Sequence, residues 1–320
     1  MRLVFVGAVE SSYYSLKTLL EGKAEVVRIV TLDKKYGGRH SDFADLTPLS
    51  EKFDVPISYI NNINDPHILQ ELEALDPDYL LILGWSQLLK GPLLNLPKHG
   101  VIGTHPALLP KNRGRAALPW AILRGDTCGG SSLFFIDEGM DTGDIICQRK
   151  FEISFDETAR TLYDKVTRAE QDMIADILPD LKRGTLPRIP QNHNLASYTA
   201  KRTARDGFID WSRPARELWA LIRAVSEPYP GAFTFYKRKR LIIWSAKLVE
   251  SANYVGVPGQ LLCERNGGYL VQCGEGHLVV QTVQEQGGEI MPATQFFNRI
   301  HDVLGIDHVA LIESYLSSLS

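Results

Sequence analysis

The sequence predicts an α/β protein whose mostly parallel sheet, with helices on both faces, is followed by a small β domain. In the first part of the chain, short β-branched and aromatic runs alternate with helical segments, which is typical of a parallel sheet. In the last third, short apolar runs are separated by Gly and Asn turns, as in a small antiparallel barrel. A polar, proline-containing stretch without periodicity lies between the two regions.

The first domain opens with a strand, a helix and a second strand, at residues 2–7, 11–22 and 26–32. The pattern then repeats, with Asp65 as the N-cap and Pro66 in the first turn of a helix. We predict further strands at 56–60, 79–83, 101–104, 131–136 and 145–153, and further helices at 65–75 and 157–183. The polar segment 33–45 is predicted to be a mobile loop.

These elements divide the chain into a Rossmann-like domain at residues 1–184, a linker at 185–205 and a second domain at 206–320. The second domain begins with an amphipathic helix at 214–225 and continues as an OB-like β-barrel. A helical tail from about residue 294 to residue 316 is expected to close it.

Composition favours a cytoplasmic protein that binds neither membranes nor nucleic acid. The 320 residues carry a formal net charge of −3, without the broad basic field that nucleic-acid binding usually needs. The N-terminal apolar run is too short for a signal peptide or a membrane span. The four cysteines lack the spacing of a zinc site or a disulfide framework, so we expect reduced thiols.

Two segments place reactive side chains just beyond predicted strands. Ligands of open α/β sheets bind beyond the carboxyl ends of the strands, and His105 directly follows the strand at 101–104. The acidic segment 137–144 follows another buried strand and lacks the ligand order of a calcium loop. A carboxylate from this segment could fix the tautomer of a histidine and raise its pKa.

The segments GTHPALLPKNRGRAALPWAI and DEGMDTGDI resemble the characteristic motif of the 10-formyltetrahydrofolate-dependent formyltransferases. In that family an Asn-x-His precedes Leu-Leu-Pro and Arg-Gly, and an Asp in D-x-G-x-D-[TS]-G lies 36 residues after the histidine, as Asp141 does after His105. DGFIDW and RAVSEPYPGAF match the join to the family's C-terminal barrel, so the resemblance extends over nearly the whole chain.

The resemblance implies that an amine attacks the formyl carbon of 10-formyltetrahydrofolate, without a metal. His105 would donate to the formyl oxygen or shuttle the proton, and Asp141 would hold His105 and help to take the proton from the amine. The expected cofactor contacts are Gln87, Leu88, Leu89, Leu109, Pro110, Arg115 and the folate loop of Asp137, Glu138, Gly139, Met140 and Asp141. Arg113, Lys35 and Arg39 are expected to contact the substrate.

One departure from the family motif concerns the catalytic asparagine. The family places it two residues before the histidine, where this chain has Gly103, which has no side-chain donor. We expect Gln87 or Asn112 to supply the missing amide.

The segments RGRAALPW and EPYPGAF are closer to the sugar-nucleotide branch of the family. The expected substrate is the amine of a dTDP-, UDP- or GDP-linked 4-amino-4-deoxy or 4-amino-4,6-dideoxy sugar, for lipopolysaccharide (O-antigen) biosynthesis. A methionyl-tRNA formyltransferase is the alternative, and a binding protein that lost its activity at Gly103 is a third hypothesis. The oligomeric state stays open, with a homodimer among the alternatives.

Overall fold

The computed structural model describes residues 1–39, 41–249, 252–306, 312 and 315–317, apart from the side chain of Arg39. The chain forms two compact units. The first comprises residues 1–121, 126–155 and 161–201, and the second comprises 122–125, 156–160 and 202–320.

Strands and helices alternate through most of the first unit. Its strands are β1 (Arg2–Val6), β2 (Glu25–Leu32), β3 (Ile57–Ile60), β4 (Tyr79–Ile82), β5 (Gly100–His105), β6 (Arg113–Gly114), β7 (Cys128–Phe135), β8 (Ile145–Glu152) and β9 (Tyr198–Thr199). Its helices are α1 (Glu10–Glu21), α2 (Thr47–Phe53), α3 (Pro66–Ala74), α4 (Gly91–Leu94), α5 (Ala117–Arg124), which crosses into the second unit, and α6 (Ala159–Arg183). Asp65 caps α3 by accepting from the backbone N–H of His67, as predicted.

The main sheet has the order β3-β2-β1-β4-β5-β7-β8. The pairs from β3 to β5 are parallel, whereas β7 is antiparallel to both β5 and β8. This order confirms the predicted α/β class with a mostly parallel sheet. It also brings the carboxyl ends of β1, β4 and β5 to one edge.

The core of the first unit lies on both faces of this sheet because successive side chains of a strand point to opposite faces. Leu3 and Phe5 pack in one buried cluster with α1 and α6, where Leu16 and Ile174 contribute. Val4 and Val6 pack in another buried cluster together with Leu72 of α3. Strand β1 is therefore buried on both sides from Leu3 to Val6, as expected for a parallel strand, while Arg2 at its start is exposed.

The segment predicted as a mobile loop is fastened to the start of α1. The backbone N–H groups of Glu10 and Ala44 donate to the carbonyls of Asp42 and Ala8, and Lys34 pairs with Asp45 at 2.7 Å. A 3₁₀ helix covers Lys34–Arg39. Local polarity suggested a solvated connection, and the backbone hydrogen bonds hold residues 42 and 44 of this segment to residues 10 and 8.

The second unit contains an antiparallel sheet. Helix α7 (Ala215–Ala224) precedes the strands β10 (Ala232–Tyr236), β11 (Lys239–Val249), β12 (Leu261–Arg265), β13 (Gly268–Gln272), β14 (His277–Glu285) and β15 (Ile290–Pro292). The strand order is β10-β11-β14-β13-β12, and β15 pairs with β14. A one-turn helix, α8 (Ala293–Phe296), follows. This agrees with the predicted C-terminal β domain.

Two boundaries differ from the sequence-based expectation. Residues 185–201, predicted to belong to the linker, are part of the first unit, where β9 pairs with β6 in parallel. The predicted helical tail begins as α8, but residues 297–306 are not helical, and most of 307–316 lies outside the described residues. Of the helices in the described ranges, none is long and apolar enough to cross a membrane.

Candidate functional site

His105 is the last residue of β5 and is only 5% exposed. Its strand pairs with β4 on one side and with β7 on the other, where Ser132 is its partner. The side chain therefore lies at the carboxyl edge of the parallel strands, the position predicted from the sequence. Asn112 and Asp141 lie beside it, and residues 191–199 in turn bond to the segments that carry these two residues.

The two ring nitrogens of His105 have different environments. Nε2 lies 2.6 Å from the backbone carbonyl oxygen of Asn112, which can only accept, so Nε2 carries the hydrogen. Nδ1 lies 3.6 Å from Oδ2 of Asp141, too far for a hydrogen bond. In the neutral imidazole Nδ1 is therefore the atom with a free lone pair.

This arrangement corrects the expectation that Asp141 alone fixes the tautomer of His105. The Asn112 carbonyl fixes it through Nε2, while Oδ2 of Asp141 accepts the backbone N–H of Gly114 at 2.7 Å. Asp141 has a positive φ of 54°, a conformation that Asp and Asn tolerate better than most residues. The carboxylate is thus anchored to the chain that follows His105.

Gly114 occupies a position that excludes other residues. Its φ is 102°, and an added Cβ would lie 2.6 Å from the carbonyl oxygen of Thr199. Only glycine allows β6 to approach β9 this closely. The glycine of the Arg-Gly motif therefore allows the backbone N–H of residue 114 to donate to the carboxylate of Asp141.

Arg113, expected to contact the substrate, is 1% exposed and is instead a structural residue. Its Nη2 donates to Oε1 of Gln191 at 2.6 Å and lies 3.1 Å from Nδ1 of His193, and Nη1 donates to the hydroxyl of Tyr198 at 3.2 Å. A buried cation requires such partners. Burial by residues 191–198 therefore removes Arg113 from the surface that a substrate could reach.

Gln191 was missed by the sequence analysis because it lies in the segment predicted to be a linker. Its Nε2 donates to the backbone carbonyls of Asp141 at 2.9 Å and Gly143 at 2.7 Å, while its Oε1 accepts from Arg113. It thereby joins the acidic loop to β6. The run of Gln, Asn and His residues at 191–194 was the available signal, since such side chains often bind backbone groups of nearby loops.

The space that an asparagine at position 103 would need is filled by Ile136. A Cβ on Gly103 would lie 2.8 Å from Cδ1 and 2.9 Å from Cγ1 of Ile136. Ile136 is held there by its backbone N–H, which donates to the carbonyl of Val101 at 2.8 Å. The wall beside His105 is therefore apolar where the family motif has an amide.

The two side-chain amides expected to replace the family's asparagine differ in whether they are free to bind a ligand. Gln87 is occupied, because its Oε1 accepts from the N–H of Ile63 at 2.9 Å and its Nε2 donates to the carbonyl of Asn61 at 2.7 Å. Asn112 uses its backbone for His105 and Ser197, while its side-chain amide bonds to none of the residues that the structure describes. Of the two, Asn112 has the free donor.

The remaining residues expected to bind the cofactor fall into exposed and buried groups. Leu88 and Met140 are 77% and 54% exposed, and Arg115 is also exposed, with Nη2 donating to the carbonyl of Ser86 at 2.9 Å. Met140 lies near Gly114, the residue before Arg115, and Ser86 lies two residues before Leu88. Exposed apolar side chains beside a guanidinium suit a flat heterocycle with an anionic tail, and the residues present therefore fit a folate.

Other members of the expected set support the site from within. Leu109 is buried with Phe134 and Ile145, and Gln148 and Ser132 hold its backbone, so it offers no surface to a ligand. Pro110 and Leu89 are partly buried, Glu138 is exposed, and Asp137 accepts from the N–H of Gly139 and the hydroxyl of Thr142, which shapes the acidic loop.

Two expected substrate contacts lie on the segment 33–45. Lys35 is exposed and pairs with Asp33 at 2.8 Å, whereas the side chain of Arg39 lies outside the described residues. No cluster of His, Cys, Asp and Glu in the described ranges could hold a metal ion. The four cysteines are free.

Comparison with known proteins matches both parts of the chain. The model of a family described as formyl transferase matches residues 2–178, and that of the formyl transferase C-terminal domain matches residues 201–301. Methionyl-tRNA formyltransferases of Acetivibrio thermocellus and Caldanaerobacter subterraneus are 32% and 34% identical to the chain, and each alignment covers 92% of this chain and 96% of the relative.

Solved structures share the fold at lower sequence identity. An N-formyltransferase of Helicobacter canadensis, in complex with folinic acid and dTDP-3-aminofucose, superposes with a TM-score of 0.65 at 19% identity over 88% of this chain and 98% of its own. HypX of Aquifex aeolicus in complex with tetrahydrofolic acid gives 0.65 at 19% identity over 92% of this chain, which spans only 46% of HypX. A methionyl-tRNA formyltransferase of Clostridium thermocellum gives 0.56 at 20% identity, over 79% of this chain and 95% of its own.

These relatives overturn two expectations. The predicted amino-sugar substrate, with its role in lipopolysaccharide biosynthesis, is wrong, because the relatives that match at 31–34% identity over about nine tenths of the chain are methionyl-tRNA formyltransferases, whereas the likeness to the sugar enzymes is one of fold. The expectation of no nucleic-acid partner is wrong for the same reason. A net charge of −3 is a sum over the whole surface and does not describe any one region of it.

Proposed function

The chain belongs to the formyl transferase family, and we propose that it transfers a formyl group from 10-formyltetrahydrofolate to the amino group of methionyl-tRNA. The observation that carries this proposal is the 32–34% identity to methionyl-tRNA formyltransferases, which extends through both units of the chain. The second unit is thus shared with enzymes of that name.

The formyl donor is the cofactor of this family, and when bound it supplies an electrophilic formyl carbon. Leu88, Met140 and Arg115 border the surface that would hold it. We assign the apolar side chains to the heterocycle and the guanidinium to an anionic part of the folate. Leu109 and Arg113 are buried and would not contact it.

His105 would act as the proton acceptor of the reaction. A protonated amine is not a nucleophile, and its attack on a carbonyl carbon requires a group that removes a proton. Nδ1 of His105 has the free lone pair, and Asp141, 3.6 Å away, would stabilise the imidazolium that forms. Asn112 keeps the ring oriented throughout, because its carbonyl binds Nε2 in both protonation states.

The formyl oxygen gains negative charge as the amine attacks, and it needs a hydrogen-bond donor. Gly103 and Ile136 offer none, and the amide of Gln87 is occupied by the backbone of residues 61 and 63. We therefore assign the donor to the side chain of Asn112, whose amide is free among the described residues. An oxyanion donor of this kind is worth about 2.7 to 4 kcal/mol.

The decisive experiment is formyl transfer by the purified full-length chain. We expect methionyl-tRNA to be formylated in the presence of 10-formyltetrahydrofolate, measured as formyl-methionine released from the tRNA by mild alkali. Deacylated tRNA and free methionine serve as controls for the acceptor, and the His105→Ala variant serves as the control for the site. A wild-type enzyme that consumes the donor with a nucleotide-linked amino sugar but leaves methionyl-tRNA unmodified would refute the proposal.

A further inference from the structure

Glu170 is a buried carboxyl behind the candidate site. It lies on α6, and its side chain and backbone together are only 3% exposed. One carboxyl oxygen, Oε1, is 3.3 Å from the hydroxyl of Ser131 on β7, and the other, Oε2, has no hydrogen-bond partner among the described residues. An ionised carboxylate with so few donors is strongly disfavoured in a buried setting, whereas a neutral carboxylic acid is tolerated.

The same Ser131 hydroxyl reaches the residue proposed as the proton acceptor. Its oxygen lies 3.1 Å from the backbone carbonyl of His105, which also accepts the N–H of Ala107 at 2.8 Å. A serine hydroxyl has one hydrogen, and both the carbonyl and an ionised carboxylate can only accept. Ser131 therefore cannot donate to His105 and to an ionised Glu170 at the same time.

We infer that Glu170 is a positioning residue: as a neutral acid it donates its proton to Ser131 Oγ, which leaves the Ser131 hydrogen for the His105 carbonyl. Loss of the Glu170 proton turns the carboxyl into an acceptor and draws the Ser131 hydrogen away from His105. The His105 carbonyl would then lose the Ser131 hydroxyl as a donor while it keeps the N–H of Ala107. This inference rests on the proposed role of His105.

The surroundings of Glu170 are polar but contain few charges. Burial raises the pKa of Glu170 to about 7, and the nearby hydroxyls of Ser131, Thr104 and Ser11 oppose this increase, although of these three only Ser131 forms a hydrogen bond to the carboxyl among the described residues. The backbone N–H of Ser11 donates to the hydroxyl of Tyr163, which donates to Asp42. The titratable groups that face this region are therefore His105 on β5, Tyr163 on α6 itself and Asp42 in the segment before α2, and no charge contacts the carboxyl among the described residues.

The first test is infrared spectroscopy of the free protein, with the spectrum of Glu170→Gln subtracted from that of the wild type. We expect the C=O stretching band of a protonated carboxylic acid below the pKa of Glu170, and its loss above that pKa. A wild-type protein without this band at low pH would overturn the inference. Since no substrate is present, failure of the proposed function would not affect this result.

The second test measures kcat of the wild type and of the variants as a function of pH. The kcat of each protein is divided by the kcat of Glu170→Gln at the same pH, which cancels the pH dependence that all of them share through His105. Glutamine donates to Ser131 at every pH, so we expect the ratio of wild-type kcat to Glu170→Gln kcat to fall by about fivefold above the Glu170 pKa, the effect of one neutral hydrogen bond. The KM for the formyl donor should differ less than twofold. A ratio independent of pH would overturn the inference.

Ser131→Ala is the second variant because it removes the shared hydroxyl. Below the Glu170 pKa, the kcat of Ser131→Ala should be about fivefold lower than that of the wild type. Above that pKa, the ratio of its kcat to the Glu170→Gln kcat should not fall further. A fall equal to that of the wild type would show that Ser131 does not transmit the change and would also overturn the inference. Asp172→Asn, the same change at an exposed position of α6, is the control and should follow the wild-type profile.

Discussion

At the scale of single residues, the orientation of one imidazole decides which nitrogen can accept a proton. The sequence predicted His105 and Asp141 as a pair from their family spacing, and the structure places Nδ1 and Oδ2 3.6 Å apart. It could not predict that the Asn112 carbonyl binds Nε2, since a backbone contact leaves no trace in residue type. Nor could it predict Ile136 beside Gly103, because that contact depends on how β5 and the loop after β7 meet.

Asp141→Asn should separate the charge of this side chain from its structural role. Asparagine tolerates the positive φ of 54° and can still accept the Gly114 N–H, so we expect the unfolding free energy to change by less than about 1 kcal/mol. The oxygen that accepts from Gly114 is also the atom nearest Nδ1 of His105, so the variant keeps this geometry and loses only the negative charge that would stabilise the imidazolium. We expect kcat to fall by about 10² to 10⁴. Unchanged turnover would show that the charge of Asp141 does not act on His105.

Gly103→Asn should not restore the amide of the family motif by itself. The new Cβ would lie 2.8 Å from Cδ1 of Ile136, and such overpacking costs about 1 to 3 kcal/mol. Combining it with Ile136→Ala should relieve the clash, so the double variant should be more stable than the sum of the single changes predicts. Chemical denaturation of all four proteins measures this coupling. Additive changes would mean that Ile136 does not occupy the space.

Glu170→Gln should also change how stability depends on pH. The pKa of Glu170 is raised by burial to about 7 from an ordinary value of 4.5, so the folded protein binds this proton more tightly than the unfolded chain. The wild type should therefore lose stability relative to Glu170→Gln as the pH rises from 4.5 to about 7, by up to about 1.4 kcal/mol per pH unit. Parallel curves of unfolding free energy against pH would contradict this expectation.

At the scale of elements, periodicity predicted the strands and long helices well but not the segment that completes the site. The short apolar runs of β1, β4 and β5, which are bounded by polar or turn residues, predict buried strands, and the amphipathic pattern of α6 spans its whole length. Residues 185–201 contain no such period. Their polar contacts include pairs that are far apart in sequence, such as Gln191 with Asp141 at 50 residues and Thr199 with Arg113 at 86, which no local pattern reveals.

Two substitutions at Gln191 should distinguish its two roles. Gln191→Ala removes the acceptor of buried Arg113 and the donor of the Asp141 and Gly143 carbonyls, so we expect a loss of about 2 to 4 kcal/mol of stability and a higher KM for the formyl donor. Gln191→Glu keeps the acceptor and loses the donor. It should recover much of the stability while the KM stays high. Equal melting temperatures for the two variants would show that Arg113 does not depend on this partner.

At the scale of the whole molecule, the distribution of charge matters more than its sum. The hairpin turn between β10 and β11 carries Lys237, Arg238 and Lys239 on exposed positions, with φ of 50° and 66° at the first two. Lys237 pairs with Asp302 at 3.2 Å and Lys239 with Glu285 at 2.8 Å. Exposed ion pairs contribute little free energy, so both lysines can leave these carboxylates and bind phosphate groups instead. A nearly neutral unit can therefore still present a local cationic surface.

Replacing Lys237, Arg238 and Lys239 with glutamine tests whether this hairpin contacts the acceptor. Each phosphate contact contributes about 0.7 to 0.9 to the slope of log affinity against log salt. We expect a higher KM for methionyl-tRNA and a slope smaller by about 2 to 3, with the KM for the formyl donor unchanged. Lys17→Gln on α1 is the matched control for loss of a surface cation. An unchanged salt slope would place the tRNA elsewhere.

Because residues 185–201 belong to the first unit, the protein cannot be divided into modules at the end of α6. A fragment that ends at residue 184, after α6, would contain the complete main sheet together with His105 and Asp141. It would lack Gln191 and β9, and so the partners of Arg113 and of the acidic loop. A chimera that exchanges the C-terminal unit with a relative should therefore join the two sequences after residue 201, so that the catalytic module keeps the peptide that holds its loops in place.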